Sequence, residues 1–188
     1  MRIISGSFKG KKILEPKDNN TRPLKDLTKE SIFNIIEHSN KFKIKLLGSN
    51  VLDLFSGVGS FGIECLSRGA KKVIFTENYK GVIPVLKKNL LNLKSTNNYK
   101  ILEKDIYKEN NLLILNELFD IIFLDPPYKD KNLYKILISI EKGNILKKNG
   151  IIILHRHKKE TDIIPTNFKI IEEKQYGISK VNFICLLR

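Results

Sequence analysis

The segment VLDLFSGVGSFGIECLSRGA, residues 51–70, most constrains what this chain can fold into. It starts as a β-prone apolar run, turns through glycines in the pattern G-x-G-x-x-G, and continues with apolar residues at helical spacing. This predicts a strand, a glycine turn formed by Gly57, Gly59 and Gly62, and a helix whose N-terminus a nucleotide can approach. Glycine turns also join strands to helices where nothing is bound. Asp53 strengthens the binding interpretation, because a carboxylate within an apolar strand needs a partner to offset its burial.

Predicted strands and helices alternate along the rest of the core. Further strands are predicted at 72–77, 100–103, 120–125 and 150–155, and helices at 60–68, 82–94, 111–117 and 131–142. Segments 168–175 and 180–187, around Tyr176-Gly177, predict a closing hairpin with an antiparallel last strand. We therefore expect a Rossmann-like α/β fold, with a mostly parallel, twisted seven-stranded sheet and helices on both faces.

Residues 1–45 are predicted to form a small basic extension before a core domain of residues 46–188. Residues 2–15 alternate β-prone runs with glycine and lysine, which predicts a hairpin with basic loops. The apolar spacing of residues 27–38 is typical of an amphipathic helix, and residues 28–31 offer capping side chains near its start.

The composition favours a nucleic acid partner. The chain has 188 residues with 34 basic and 20 acidic side chains, a formal net charge of +14. Such an excess attracts polyanions, although lysines encoded by an AT-rich genome would also be ordinary solvated residues. Arginine is scarce, so we expect an arginine where a planar fork of donors is needed. The five arginines are Arg2, Arg22, Arg68, Arg156 and Arg188.

Nothing in the sequence predicts a membrane span, a secretion signal or a metal site. No apolar run approaches the roughly 18 residues of a membrane helix, and the N-terminus lacks a signal-peptide core. Cys65 and Cys185 lie in apolar patterns without metal-ligand spacing. We therefore expect a cytoplasmic protein with reduced thiols, no metal and no membrane association, and we expect a monomer.

Several acids follow predicted strands, where ligands of doubly wound sheets bind. Glu77 ends the second strand, and a carboxylate there can accept both hydroxyls of a ribose; a surface acid is the alternative. Asp105 follows the third strand and is interpreted either as an adenine contact or as a solvated turn residue.

The tetrapeptide Asp125-Pro126-Pro127-Tyr128 follows the apolar strand FDIIFL. Two prolines fix φ twice and restrict the residue before each, which predicts a stiff turn that presents acceptors. Such a turn suits a flat base with an amino group, whose hydrogens bond to the Asp125 carboxylate and the Pro126 carbonyl while Tyr128 stacks on the ring. The alternative is a strand-ending turn with a core tyrosine.

Three segments together, DLFSGVGSFG, FTEN and DPPY, resemble those of class I S-adenosylmethionine-dependent methyltransferases acting on amino nitrogens. More narrowly, RIISGSFKGKKI, TRP, the KESIFNII helix, the glycine segment and FLDPPY resemble the RsmD family of bacterial 16S rRNA guanine-N2 methyltransferases. The resemblance covers nearly the whole chain. DPPY alone is shared with DNA adenine methyltransferases, so the N-terminal segment narrows the choice.

The resemblance implies a class I methyltransferase fold, S-adenosylmethionine as cofactor, and 16S rRNA or the assembling small subunit as partner. It implies that residues 125–128 present guanine N2 to the methyl group. Cofactor contacts are implied for Asp53, Phe55, Gly57, Gly59, Gly62, Glu77, Asn78, Asp105, Ile106 and Asp125. RNA contacts are implied for Arg2, Lys9, Lys11, Arg22, Lys29 and Asn34.

One segment departs from the family pattern. HRHKKE follows the fifth strand, where an acid near His155 is expected. We interpret His155 and His157 as an exposed basic loop rather than as a catalytic base.

Three alternative functions stay open at this point. The same tetrapeptide would serve a DNA adenine-N6 or protein-glutamine methyltransferase. The glycine pattern with Glu77 would serve a dinucleotide-dependent oxidoreductase, although the chain has little room for a substrate domain. The charge alone would suit a non-catalytic RNA-binding module.

Overall fold

The computed structural model describes residues 1–16, 24–94, 97–108, 112, 115–127 and 130–187. In these ranges the helices are α1 (Asp26–His38), α2 (Ser60–Ser67), α3 (Ile83–Leu91) and α4 (Leu133–Lys142). The strands are β1 (Asn50–Leu54), β2 (Lys72–Thr76), β3 (Tyr99–Leu102), β4 (Phe119–Leu124), β5 (Leu146–His157), β6 (Phe168–Tyr176) and β7 (Ser179–Leu186). None of the helices described is long and apolar enough to cross a membrane.

The strands form one seven-stranded sheet in the order β3-β2-β1-β4-β5-β7-β6. The pairs from β3 to β5 are parallel, and β7 runs antiparallel to both β5 and β6. The predicted mostly parallel sheet with an antiparallel last strand is therefore confirmed. The strand order reverses between β1 and β4, which is where such folds bind ligands.

Helices cover both faces of the sheet, as predicted. Side chains alternate along the central strands, so Ile121 and Phe123 of β4 pack in one cluster while Ile122 and Leu124 pack in the other. The first cluster includes residues of α1, α2 and α3, and the second includes residues of α4. Ile3 and Ile13 belong to the first cluster, so the N-terminal segment shares the core of the sheet.

The predicted hairpin of residues 2–15 forms only one antiparallel bridge, between Arg2 and Lys12, rather than paired strands. A few backbone hydrogen bonds cross the hairpin, such as that from the Ile3 N–H to the Lys11 carbonyl at 2.9 Å, but the pairing does not continue because the next backbone donors bind α2. The N–H groups of Ile4 and Ser5 donate to the two carboxylate oxygens of Glu64 on α2, at 2.8 and 2.9 Å.

Lys29 is buried rather than exposed, so its predicted contact with RNA is wrong. Its ammonium donates to the Arg2 carbonyl at 2.8 Å and to Ser60 Oγ at 3.3 Å, and lies 3.8 Å from Glu64 Oε2. Burial lowers the pKa of Lys29, against the opposing effect of the Glu64 and Asp26 carboxylates. Lys29 therefore joins α1, α2 and the N-terminal segment.

Two local predictions differ from the structure. Helix α1 begins at Asp26, without a side-chain cap, so the residues 28–31 proposed as caps lie within it and Thr28 is buried. Residues 111, 113 and 114 of the helix predicted at 111–117 lie outside the described residues. Residues 116 and 117 are not helical, because Asn116 has a φ of +42°.

Strand β5 is longer than predicted and contains His155, Arg156 and His157, so the interpretation of this segment as an exposed loop is wrong. All three residues pair with residues of β7. The side chains of His155 and Arg156 are buried, and that of His157 is half-buried. Strand β5 extends to His157 because it pairs with β7 there. The local sequence of β5 does not reveal this tertiary pairing.

We predict that Glu64→Ala lowers the free energy of unfolding by about 3–5 kcal/mol, because it removes the only fully buried carboxylate described beside the Lys29 ammonium and leaves the half-exposed Asp26, at 3.6 Å, as its remaining carboxylate neighbour. Urea denaturation measures this change. The matched control is Glu37→Ala, which removes the other carboxylate bound to Arg68, at 2.8 Å, where the Glu37 side chain is 35% exposed. This variant should change stability by about 0–1 kcal/mol. Equal losses of stability in the two variants would contradict the role of Glu64 as the carboxylate that stabilises the buried Lys29.

Candidate active site

A cavity of about 590 Å³ opens at the carboxyl ends of β1, β2, β4 and β5. This volume suits a ligand the size of a nucleoside. Its wall includes the glycine turn after β1, residues 77–79 after β2, residues 125–127 after β4, and His155 near the end of β5. The structure thus brings together most of the residues predicted for catalysis and cofactor binding.

The glycine turn adopts backbone conformations that other residues rarely adopt. Gly57 and Gly59 have φ values of +54° and +85°, and Gly59 is the N-cap of α2. Gly62 is needed for a different reason. A Cβ added to Gly62 would lie 2.3 Å from a ring carbon of Phe75 and 2.9 Å from Asp53 Oδ2, so only glycine lets α2 pack this closely on the sheet.

Phe55 shares the cavity and has a φ of +59°, a rare conformation for a bulky residue and one that concentrates at functional sites. Its ring lies 5.7 Å from that of Tyr107 at an interplanar angle of 48°. Tyr107 also lines the cavity, and sequence reasoning missed it. These two rings provide an aromatic wall beside the glycine turn.

Asp53 and Glu77 bind the turn from two strands. Asp53 Oδ2 accepts the Gly62 N–H at 2.9 Å, and Glu77 Oε2 accepts the Gly57 N–H at 2.8 Å. Glu77 Oε1 accepts the N–H groups of Asn78 and Tyr79, both at 2.9 Å. Glu77 was predicted to contact the ligand. In the structure it also holds the backbone of the loops around the cavity.

Asp53 is a buried carboxylate of the site whose hydrogen bonds are incomplete. Its side chain is buried, it lines the cavity, and Oδ1 has no hydrogen-bond partner among the described residues. Burial raises the pKa of Asp53 well above its usual value, which the Gly62 N–H offsets only in part. An oxygen left in this state suits a ligand that brings a hydrogen-bond donor or a positive charge.

The loop after β4 is held by the β5 arginine. Arg156 Nη1 donates to the Pro127 carbonyl at 3.0 Å, and Nη2 donates to the Asp130 carbonyl at 2.7 Å. Asp162 accepts from Nε and Nη2 at 3.0 and 2.9 Å. Arg156 is thus an arginine whose planar fork is needed, as the scarcity of arginine suggested.

The remaining predicted residues divide into three groups. Asp105 accepts the Tyr107 N–H at 3.0 Å and Ile106 is buried, but neither lines the cavity. Arg2, Lys9, Lys11 and Asn34 are exposed. The predictions for Arg22 and Tyr128 concern residues outside the described ranges.

The cavity also contains residues that sequence reasoning missed. Lys25 and Thr28 reach it from the start of α1, Ile178 from the β6–β7 turn, and Ser179 from the start of β7. No local pattern brings these segments to the strand ends. His155 could have been found, because it follows the apolar run of β5 as Asp125 follows that of β4.

Among the residues described, no group of three or more histidine, cysteine, aspartate or glutamate side chains could hold a metal ion. Cys65 and Cys185 are free cysteines. Burial raises the pKa of the Cys65 thiol well above its usual value, so this cysteine stays protonated at neutral pH.

The fold is that of class I methyltransferases. The chain superposes on the ribosomal protein L11 methylase of Lactobacillus delbrueckii with a TM-score of 0.68 at 17% identity, a likeness of fold alone, over 91% of this chain and 84% of that one. It superposes on a crystal structure of a Haemophilus influenzae protein with a TM-score of 0.76 at 32% identity, over 100% of this chain and 98% of that one.

Sequence comparison identifies the family. The model of the family "Conserved hypothetical protein 95" matches residues 1–185. The chain is 34% identical over 184 residues to "Ribosomal RNA small subunit methyltransferase D" of Haemophilus influenzae, covering 95% of this chain and 90% of that protein. The chain belongs to this family, and the resemblance to RsmD methyltransferases is confirmed.

We predict that Asp53→Asn makes the ligand-free protein more stable at pH 7. Because burial raises the pKa of Asp53, ionisation opposes folding, so this cost grows as the pH rises above the unfolded-state pKa and vanishes below it. Asparagine keeps an acceptor for the Gly62 N–H and carries no charge. Urea denaturation of both proteins from pH 4 to pH 8 measures the difference, which should grow with pH. A difference that is constant with pH would contradict this explanation.

Proposed function

We propose that this chain transfers a methyl group from S-adenosylmethionine to the exocyclic N2 of a guanine in 16S rRNA, in the cytoplasm. The observation that carries the proposal is that Asp125 opens onto the same cavity as the glycine turn. A methyl donor beside the glycines and an amino group on Asp125 would therefore meet. The name of the Haemophilus relative supports the small-subunit RNA as substrate.

The residues present fit S-adenosylmethionine. The unpaired Asp53 Oδ1 suits the ammonium group of the methionine part, directly or through water. Glu77 uses its oxygens on three N–H groups, yet each oxygen has further lone pairs for ribose hydroxyls. The rings of Phe55 and Tyr107 suit the flat adenine, a role that the resemblance implied for Asp105 and Ile106.

When bound, this cofactor supplies an electrophilic methyl group on a positively charged sulfur. Transfer of that methyl group to the amino nitrogen would break the carbon–sulfur bond and would leave the electron pair of that bond on sulfur. The positive charge that develops on nitrogen is stabilised by Asp125, which accepts an amino hydrogen and takes the released proton. Orientation matters most, since proximity can supply roughly 7–11 kcal/mol of the barrier.

The exposed cations of the N-terminal segment and of the start of α1 suit the RNA backbone. Lys25 lines the cavity, and Arg2, Lys9 and Lys11 are exposed on the N-terminal segment, which also packs on α2. Phosphate contacts position a nucleic acid without reading its sequence. We assign this surface to the RNA around the target guanine.

The substrate is tested by incubating the protein and labelled S-adenosylmethionine with small ribosomal subunits, 16S rRNA, plasmid DNA or release factor. We expect N2-methylguanine in the ribosomal RNA, detected by mass mapping. N6-methyladenine in DNA or methylglutamine in protein would replace the proposal with the corresponding alternative. Transfer to none of the substrates would contradict a methyltransferase function.

We predict that Asp125→Ala lowers kcat by about 10²–10³-fold, because it removes the acceptor that stabilises the developing charge. The affinity for S-adenosylhomocysteine, measured by calorimetry, should stay nearly unchanged. Asp53→Asn should weaken that affinity instead, since it removes the carboxylate facing the ligand. Equal loss of cofactor affinity in both variants would contradict the separate roles.

We predict that Lys25→Ala weakens RNA binding and reduces the slope of log affinity against log salt by about 1, because one phosphate contact is lost. Filter binding over a range of salt concentrations measures the slope. The control is Lys148→Ala, an exposed lysine near the start of β5, roughly 20 Å along that strand from the cavity. Equal slopes for the two variants would place the RNA elsewhere.

A further inference from the structure

His155 and Asp125 meet because of the register between two parallel strands. Leu124 of β4 pairs with Leu154 of β5, so the next residue of each chain segment lies at the same edge of the sheet. His155 Nδ1 lies 2.8 Å from Asp125 Oδ1, and the two side chains are 9% and 19% exposed. Both residues line the cavity.

The two prolines explain why Asp125 needs a distant donor. An aspartate in a turn commonly accepts the backbone N–H two residues later. Asp105 does so with Tyr107 at 3.0 Å, and Asp130 does so with Asn132 at 2.6 Å. At Asp125 the equivalent residue is Pro127, which has no N–H.

A carboxylate without such a bond would be poorly oriented. The last torsion of an aspartate side chain has a broad energy minimum, so packing and hydrogen bonds set the direction of its oxygens. A hydrogen bond from His155 Nδ1–H to Oδ1 fixes that torsion. It leaves Oδ2 to accept a hydrogen from a substrate.

We propose that His155 is a positioning residue for methyl transfer, which holds Asp125 Oδ1 so that Oδ2 faces the amino group of the substrate. The inference rests on the proposed function, because it requires Asp125 to accept that hydrogen. The resemblance predicted an acid near position 155, whereas this chain has a histidine there, with Nδ1 at hydrogen-bond distance from Asp125.

Three variants at this position test the proposal. His155→Asn keeps an N–H donor at the position of Nδ1, because the asparagine amide nitrogen is equally far from Cβ. His155→Gln places its amide near the position of Nε2 instead, and His155→Leu has no donor. The control is His157→Asn, on the same strand, where Nδ1 accepts the Lys159 N–H at 3.2 Å.

We expect His155→Leu and His155→Gln to lower kcat on small-subunit RNA by about 10²-fold, as misplacement of a reacting group does. The KM for RNA and the Kd for S-adenosylhomocysteine should change little. His155→Asn should recover most of the lost kcat, and His157→Asn should behave as the wild type. Circular dichroism and thermal unfolding establish that each variant is folded.

The proposal is overturned if His155→Leu keeps the wild-type kcat, if the asparagine and glutamine variants lose kcat equally, or if the loss appears in KM and Kd. Absence of methyl transfer by the wild type would instead refute the proposed function, and the inference with it.

A measurement without turnover separates the two failures. In nitrogen-15 NMR spectra of the wild type, His155 Nδ1 should have the chemical shift of a protonated ring nitrogen, and this signal should move in Asp125→Ala. An unprotonated Nδ1 in the wild type would overturn the inference and leave the proposed function standing.

Discussion

Two buried carboxylates hold the glycine turn on which the rest of the site depends. Asp53 on β1 binds the Gly62 N–H and Glu77 after β2 binds the Gly57 N–H, so both ends of the turn are tied to adjacent strands. The burial of Asp53 destabilises the ligand-free protein, since its pKa is raised by loss of solvent. A charged group kept under such conditions is typical of a binding site rather than of a core.

The second constraint is that the loop of Pro126 and Pro127 lacks the backbone donors that would orient the Asp125 carboxylate. Pro126 and Pro127 stiffen the loop after β4, but they also remove the backbone donors that would otherwise bind Asp125. Two adjacent residues of β5 supply donors from outside: His155 to the carboxylate, and Arg156 to the Pro127 carbonyl. The loop's geometry is therefore decided by β5, which β7 in turn extends.

The N-terminal segment shows how a basic sequence divides its cations between two uses. Lys29 and Arg68 surround Glu64 within the protein, where they stabilise the contact between α1, α2 and the first residues. Lys9 and Lys11 stay exposed on the same segment. Composition alone cannot distinguish these uses, because net charge counts a buried ammonium and a solvated one equally.

The sequence by itself determined the alternating elements, the glycine turn and the loop at Asp125, because these depend on hydrophobic periodicity and on the backbone limits of glycine and proline. It also placed Asp53, Glu77 and Asp125 at strand ends, which a parallel sheet brings to one edge. Only the tertiary structure decided the environments of Lys29, His155 and Arg156. Their partners lie on segments distant along the chain, and the burial and hydrogen bonds of a side chain depend on those partners rather than on its neighbours in sequence.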